Sequence, residues 1–380
     1  MWVRRLELID VRSYEHLVLE LEPGVTVLVG ANGQGKTNLV EALQRVATGA
    51  SHRVASDAAL VRIGAEHGIV RVAAIDDDGR ERTVDLELGG GRRARPRVDG
   101  HPVRRTSESV GVVPVVLFAP EDVAIVRGDP SERRRFLDDV LAQRRSTFAS
   151  ARSDYDQVLR QRNALLKAQR GGDASEDELT SWTELLIAHG APIVAARIAA
   201  VAALSGPFAA AHLALVGRDD GVVLEYASTL GTFVTDVGAV PPTGPIAAAM
   251  RDALMAVAGE ERRRAITLVG PHRDDVAISL AGMPARTTAS QGEAWSLALA
   301  LRIASAALLA DVGRRPVAIL DDVFSELDAD RRERVAALCE GFDQVLVTAA
   351  VDADVPLAGH RIDVHLRDGV TDLVPREEDR

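Results

Sequence analysis

Cysteine, lysine and aromatic residues are all scarce in this chain, and each scarcity excludes something. A single cysteine, Cys339, rules out an intrachain disulfide and fits a reducing compartment. Aromatic residues make up 3% of the 380 positions, too few for extensive stacking of bases along a single strand. Lysine occurs only at Lys36 and Lys167, although Lys and Arg together number 45. No continuous apolar leader opens the chain, because residues 1–10 alternate charged and apolar side chains. One uncharged run, residues 198–217, reaches membrane-spanning length. It is Ala-rich and interrupted by Ser205, Gly206, Pro207 and His212, so it reads as a broken pair of buried helices. No membrane partner is expected, and the chain reads as cytoplasmic.

What is present is an ordinary globular composition, 47% apolar, in a chain long enough for two domains. The formal net charge of −11 argues against a globally basic nucleic-acid binder. The arginines are nevertheless clustered: Arg92, Arg93, Arg95 and Arg97; Arg104 and Arg105; Arg133, Arg134 and Arg135; Arg144 and Arg145; Arg262, Arg263 and Arg264. Each cluster is either a solvated face or part of a phosphate-binding surface.

Apolar periodicity predicts two strands around Pro23-Gly24 within residues 3–29, a helix over 38–48, and short strands over 68–104 with turns at Asp78-Gly79 and Asp99-Gly100. A strand over 112–118 follows. From Ser131, placed to cap a helix, the pattern turns helical, with helices over 131–141, 148–169 and, after a Ser175-to-Glu178 capping box, from 176 onward. Residues 171–173 read as a loop, 218–245 as irregular and 246–257 as helix. A strand over 267–269, a helix from 290 to about 311, a strand over 317–320, a helix over 330–340 and a strand over 344–347 complete the chain. The expected fold class is α/β, a head with a mixed sheet formed by residues 1–130 and 265–380 and interrupted by a mostly helical arm, residues 131–264.

Gly30-Ala31-Asn32-Gly33-Gln34-Gly35-Lys36-Thr37 fits the G-x-x-x-x-G-K-[ST] pattern in full, between an apolar strand and a helix. Glycines let backbone N–H groups wrap phosphates, and the helix start adds a favourable dipole. Lys36 is expected to reach the β- and γ-phosphates and the Thr37 hydroxyl to ligate magnesium, which makes ATP and Mg2+ the expected ligands. In a chain so poor in lysine, an ammonium in this position is telling, since a planar guanidinium does not replace a compact point charge there. The strand 317–320 ends in Asp321, placed for the metal shell, and Asp322, placed to polarise water. Ser290-Gln291-Gly292-Glu293 opens a helix, so Ser290 and the amides at Gly292 form an anion-binding helix start.

The loop, the S-x-G-[EQ] segment, the acid-ended strand and Ser325-Glu326-Leu327-Asp328 occur in the order found in ATPases of the ABC type, which the chain resembles. The interval 37–289 is too long for a transporter cassette and far too short for the coiled coils of SMC and double-strand-break-repair ATPases. Phe118-Ala119-Pro120-Glu121-Asp122, Gly128-Asp129-Pro130, Arg133-Arg134-Arg135-Phe136-Leu137-Asp138, Gly270-Pro271-His272-Arg273-Asp274-Asp275 and the run from Leu320 to Asp328 resemble the RecF family, the SMC-like branch of that class. The resemblance implies that the segment at Ser290 and Gly292 of one subunit closes over ATP held by another. It also implies nucleotide contact by Arg12, binding to single-strand/double-strand junctions of gapped DNA through the duplex backbone, a homodimer formed on ATP binding, and partnership with RecR and RecO in loading RecA during DNA repair, recombination, replication and the SOS response. Four positions depart from the pattern, the first being Val11, which precedes Arg12 where the family carries Phe. Glu293 stands for Gln, Asp322 for Glu, and Thr348 where such enzymes carry a distal His; the expected activity is a weak DNA-dependent ATPase that acts as a switch, with Lys36, Asp321 and Asp322 as its catalytic residues.

Three other readings fit the residues less well. A transporter ATPase subunit requires a shorter interval. An OLD-type nuclease requires more chain than the residues 322–380 that follow Asp321. A scaffold without activity does not require intact Lys36, Thr37 and Asp321.

Overall fold

A computed structural model describes the chain except residues 55, 90–93, 172–174, 234 and 377–380. The chain opens with the hairpin β1 (Trp2–Val11) and β2 (Tyr14–Glu20), then β3 (Gly24–Val29) and α1 (Lys36–Thr48). Strands β4 (His67–Ile75), β5 (Glu81–Gly89), β6 (Arg95–Val98), β7 (His101–Pro102) and β8 (Val115–Phe118) follow. Next come helices α2 (Val123–Arg127), α3 (Pro130–Arg144), α4 (Ser146–Gly171) and α5 (Glu176–Val216), strand β9 (Val223–Ala227) and helix α6 (Thr243–Arg264). The last part holds β10 (Asp275–Leu280), β11 (Met283–Pro284), α7 (Ala285–Thr288), α8 (Gln291–Ala310), β12 (Val317–Asp321), α9 (Ala329–Cys339), β13 (Gln344–Ala349), β14 (His360–Arg367) and β15 (Val370–Pro375).

These strands form a mixed core sheet in the order β15-β14-β3-β13-β12-β8, an antiparallel sheet β2-β1-β4-β5-β6-β7, and a small sheet β11-β10-β9. Strands β8, β12 and β13 are buried along their whole length, as parallel strands covered on both faces must be. By contrast β4 alternates buried and open positions, the pattern of a half-covered antiparallel strand. In the core sheet β13 lies parallel between β3 and β12, with Thr348 opposite both Leu28 and Asp321. The carboxyl ends of β3, β12 and β13 therefore converge on one edge, where ligands of α/β sheets bind. The α/β class with a mixed sheet is as expected.

Several local expectations are corrected. Residues 3–29 hold three strands, because the chain also turns at Arg12-Ser13, where Arg12 adopts a positive φ of 52°. The predicted helix pair is one helix, α5, which runs through Pro192 and Pro207 without a break. Each proline removes a single N–H, and burial of α5 against α4 and α8 outweighs that loss. Both α5 and α8 are long and apolar enough to cross a bilayer, yet 61% and 72% of their most apolar windows are buried inside the fold. Asp129, followed by Pro130, occupies the cap position of α3, and Ser131 lies inside that helix. The segment 267–269 is no strand: Thr267 is buried, its N–H donating to Asn163 Oδ1 at 2.8 Å and its hydroxyl accepting from Arg162 Nη1 at 2.8 Å. The region 218–245 contributes β9, which pairs with β10. The hairpins β10–β11 and β14–β15 went unpredicted. Gly171 ends α4, and the rest of the expected 171–173 loop lies outside the described residues.

Buried charge joins α3, α5 and the segment 270–275. Arg197, fully buried on α5, donates to Asp138 Oδ1 and Oδ2 at 2.8 Å each and to the Pro271 carbonyl at 2.6 Å. Asp274, also fully buried, accepts from Tyr226 Oη at 2.6 Å, Thr229 N at 2.7 Å and Thr229 Oγ1 at 2.9 Å. The segment 270–275 is thus a strap that ties α3, α5 and the β9 loop together. His272 sits in it between Tyr155 Oη at 2.7 Å and the Thr267 carbonyl at 3.2 Å. The carbonyl accepts only, so Nε2 carries the proton and Nδ1 accepts from Tyr155.

Candidate nucleotide site

The glycine-rich loop leaves β3 at the convergent sheet edge and enters α1. Gly35 stands at the cap position of α1 with φ 104°, and no side chain caps the helix, so its first-turn N–H groups remain open to an anion. Glycine is required there twice over. The backbone is left-handed, and a Cβ would lie 2.5 Å from Thr371 Oγ1 and 2.8 Å from Ser13 Oγ.

Two hairpins grip the loop from behind. Tyr14 Oη donates to the Gly35 carbonyl at 3.1 Å, Thr371 Oγ1 donates to the Gln34 carbonyl at 3.0 Å, and the Leu366 N–H donates to Gln34 Oε1. Asn38 Nδ2 donates to Ser13 Oγ at 3.1 Å. Lys36 is folded back along the loop, with Nζ donating to the carbonyls of Gly30 at 2.6 Å and Ala31 at 3.0 Å. Burial pulls its pKa below the ordinary lysine value, opposed by the nearby carboxylates of Asp322 and Asp321.

The acids meet the loop as predicted by position. Asp321 Oδ1 accepts from Thr37 Oγ1 at 3.0 Å and from Thr348 Oγ1 at 2.6 Å. Burial raises its pKa, and these two hydroxyl donors oppose the rise. Asp322 adopts a left-handed φ of 54°, a conformation uncommon for a residue with a side chain. Its N–H donates to Thr348 Oγ1 at 3.0 Å and to the Thr348 carbonyl at 3.2 Å. Thr348 therefore ties both acids together from the neighbouring strand. A cavity of about 240 Å³ opens over them, lined by Asn32, Gly33, Gly35, Lys36, Thr37, Asn38, Arg53, Asp322 and Thr348.

The donor set fits a magnesium nucleotide. Among the described residues no cluster of three or more His, Cys, Asp or Glu could hold a metal by itself. Magnesium is instead commonly held by one carboxylate, a hydroxyl and the phosphates of its substrate, and Thr37 and Asp321 already touch.

Other expected residues lie apart. Ser290 and Gly292 do not line this cavity. They begin α8 in a closed capping box, with Ser290 Oγ accepting from the Glu293 N–H at 3.3 Å and the Ser290 N–H donating to Glu293 Oε2 at 2.7 Å. Arg12 is already engaged, its Nε and Nη2 donating to the fully buried Glu41 at 3.0 to 3.2 Å.

Sequence reasoning missed Arg53, whose guanidinium borders the cavity beside Asn38 at 3.4 Å. It also missed Ser13 and Thr371. Only the fold brings these residues to the loop, and no spacing in the sequence announces them.

The arginine clusters divide. Arg133 is buried and paired with Asp275 at 2.7 Å, and Arg134 donates to the Asp274 carbonyl at 2.6 Å, so these two hold the fold together. Arg144 and Arg262 are paired with Asp311 and Glu176. Arg95, Arg97, Arg104 and Arg105, with Arg71, line a groove of about 1020 Å³ between the antiparallel sheet and α4, where Arg105 is paired with Asp154 at 3.1 Å, Arg71 with Glu7 at 3.3 Å, and Asp85 and Glu87 also line the wall. Arg92 and Arg93 lie outside the described residues.

With this geometry in hand, comparison with known proteins is informative. A family described as the RecF/RecN/SMC N terminal domain matches residues 2–371. The DNA replication and repair protein RecF of Kineococcus radiotolerans is 49% identical, over 97% of this chain and 98% of its own. The protein of that name from Frankia alni is 47% identical, over 94% of this chain and 95% of its own. A solved structure of the recombination mediator protein RecF-ATP in the RecFOR pathway superposes with a TM-score of 0.88 at 28% identity, covering 98% of this chain and 97% of that one. The Smc head domain of Pyrococcus furiosus bound to the C-terminal domain of ScpA shares the fold, with a TM-score of 0.57 at 19% identity, covering 99% of this chain and 96% of that one.

Proposed function

We propose that this chain, which belongs to the RecF family within the RecF/RecN/SMC group of ABC-type ATPase heads, is an ATP-controlled DNA clamp of replication and repair. ATP binds at residues 30–37, and the Ser290–Gly292 face of a second copy closes over it to form a homodimer on DNA. One observation carries this reading. The loop, Thr37, Asp322 and Thr348 line one cavity, with Asp321 bonded to both Thr37 and Thr348, whereas Ser290 and Gly292 lie outside it, Ser290 exposed and Gly292 half-buried.

Each residue has a task. The uncapped first turn of α1 and Lys36 bind phosphate oxygens, for which Lys36 exchanges its bonds to the Gly30 and Ala31 carbonyls. Thr37 and Asp321 would hold Mg2+, which when bound neutralises phosphate charge and orients the terminal phosphoryl group. Asp322 orients and polarises the attacking water. Its carboxylate is one methylene shorter than glutamate, and Thr348 offers a hydroxyl where imidazole would stand. Turnover is accordingly slow, and hydrolysis opens the clamp. Arg12 is tied to Glu41 of α1, the helix that the loop enters, and is the arginine this reading places toward the nucleotide.

The groove carrying Arg71, Arg95, Arg97, Arg104 and Arg105 suits the phosphate backbone of a duplex at a single-strand/double-strand junction. RecR and RecO are the partners this reading names, with RecA loading as the outcome, and the chain acts in the cytoplasm. Residues 1–130 and 265–380 would move as the head and residues 131–264 as the arm. Sedimentation of the wild type and Lys36→Arg, with and without ATP, tests the proposal. ATP-induced dimerisation that the variant lacks is expected, and a dimer insensitive to nucleotide would refute it. DNA binding followed by anisotropy should depend on both ATP and salt.

A further inference from the structure

We propose that Arg331, at the start of α9, is the cation that each chain brings, alongside Ser290 and Gly292, to the triphosphate held by the other chain. This rests on the dimer reading above and gives its incoming face a charged residue.

The first ground is contact. A Cβ placed on Gly292 would stand 3.0 Å from Arg331 Nη1, 3.5 Å from Nη2 and 3.8 Å from Cζ. The guanidinium therefore lies against the glycine itself, and any larger residue at 292 would displace it. Two segments far apart in sequence, the start of α8 and the start of α9, present their polar groups side by side.

The second ground is what Arg331 is not used for. Its neighbours on α9 are spent inside the chain. Arg332 donates to the Phe324 carbonyl at 2.8 Å and to Asp354 at 2.7 Å, and Arg334 donates to the Leu215 carbonyl at 3.0 Å. Among the described residues Arg331 has one charge partner, Asp328, at 3.7 Å, beyond hydrogen-bonding distance. Asp328 is 61% exposed, and its Oδ1 is already committed to capping α9 through the Arg331 N–H at 2.9 Å. The guanidinium keeps its donors available, and it is about one-third exposed at 34%.

The third ground is charge balance. The start of α8 carries Glu293, whose carboxylate accepts from the Ser290 N–H. A triphosphate arriving at Ser290 and Gly292 would meet that negative charge, and Arg218, the other arginine near Glu293, is already paired with Asp220 at 2.7 Å. A guanidinium lying on Gly292 supplies the opposite sign at the point of approach, and its fork suits phosphate oxygens.

The test uses the full chain with Mg·ATP. Arg331→Ala should weaken ATP-induced dimerisation, read by sedimentation, by roughly tenfold or more, since both symmetric contacts are lost together. Arg331→Lys should recover part of the loss. Arg331→Gln, of similar length and without charge, serves if the alanine variant fails to fold. Ser290→Arg, which blocks the same face, is the reference. If Ser290→Arg stays monomeric while Arg331→Ala and Arg331→Gln dimerise like the wild type, the role of Arg331 is refuted and the dimer stands. If Ser290→Arg also dimerises normally, the dimer reading itself falls. Mixing Arg331→Ala with Lys36→Ala chains then separates the two directions of action. Action across the interface leaves one intact site in each mixed dimer and restores hydrolysis. Action on the chain's own loop leaves a lesion in every site, and hydrolysis that stays absent here, while a Ser290→Arg plus Lys36→Ala mixture recovers, would overturn the proposal.

Discussion

The end of the core sheet and the start of α8 each present a glycine-bearing helix start, yet they differ in how their polar groups are disposed. At the sheet end, Asp321 is buried and accepts two hydroxyl bonds, Asp322 is pinned by Thr348, and Lys36 folds back on its own loop. At α8, Ser290 and Glu293 satisfy only each other, in the open. A site assembled inside one chain must solve the burial of its charges before any ligand arrives. A surface turned to solvent keeps its polar groups hydrated and self-capped. The same division runs through the arginines, from Arg197, wholly committed inside the fold, to Arg331, left available at its surface.

Predictions follow that division from deep to shallow. Arg197→Ala leaves Asp138 with Arg152 as its remaining ion-pair partner and a hole behind α5. Breaking a buried pair in this way should lower stability by about 3–5 kcal/mol in urea unfolding; a loss of about 1 kcal/mol or less would show that the packing of α3 on α5 does not depend on it. His272 comes next. Burial lowers its pKa from 6.5 to about 4, so the fold favours the neutral ring. The unfolded chain takes up the proton first as pH falls, so this contribution is present above pH 6.5 and lost on the way down to about 4. At most about 3 kcal/mol is at stake. The stability profile of His272→Gln should be flatter than wild type across that window, and an identical profile would refute the assignment.

Lys36→Ala belongs to the prebuilt half. It should weaken ATP binding, measured by calorimetry, by roughly 30-fold, the effect of about 2 kcal/mol from charge-assisted bonds, without a comparable loss of stability. Ser290→Ala, in the waiting half, should cost about 1 kcal/mol of stability through its cap and leave nucleotide binding by the monomer intact. If Ser290→Ala weakened monomer ATP binding as much as Lys36→Ala, the separation of the two halves would collapse.

Much of this was legible in the residues because the signals are local. The loop spacing, the apolar strand before Asp321-Asp322 and the S-x-x-E capping box at Ser290 each sit within one element and its neighbour. The mistakes share the opposite cause. Ser205, Gly206 and Pro207 looked like a break because propensity ignores the burial that carries α5 through them. Arg133 and Arg134 looked like a surface cluster because their partners at Asp274 and Asp275 lie more than a hundred positions away. Nor does any local pattern show that Arg12 is held by the buried carboxylate of Glu41, which sits on a different element.

Taken by itself, then, the sequence determined that a phosphate loop, a pair of acids and a glycine-bearing helix start exist, since short-range spacing and turn chemistry specify them. Only the tertiary structure decided which of them share a cavity. Parallel pairing of β12 and β13 brings Thr348 onto Asp321, the β14–β15 hairpin closes on the loop, and α8 begins outside the cavity of its own chain. Those arrangements depend on strand order and burial across the whole chain, which no local pattern encodes.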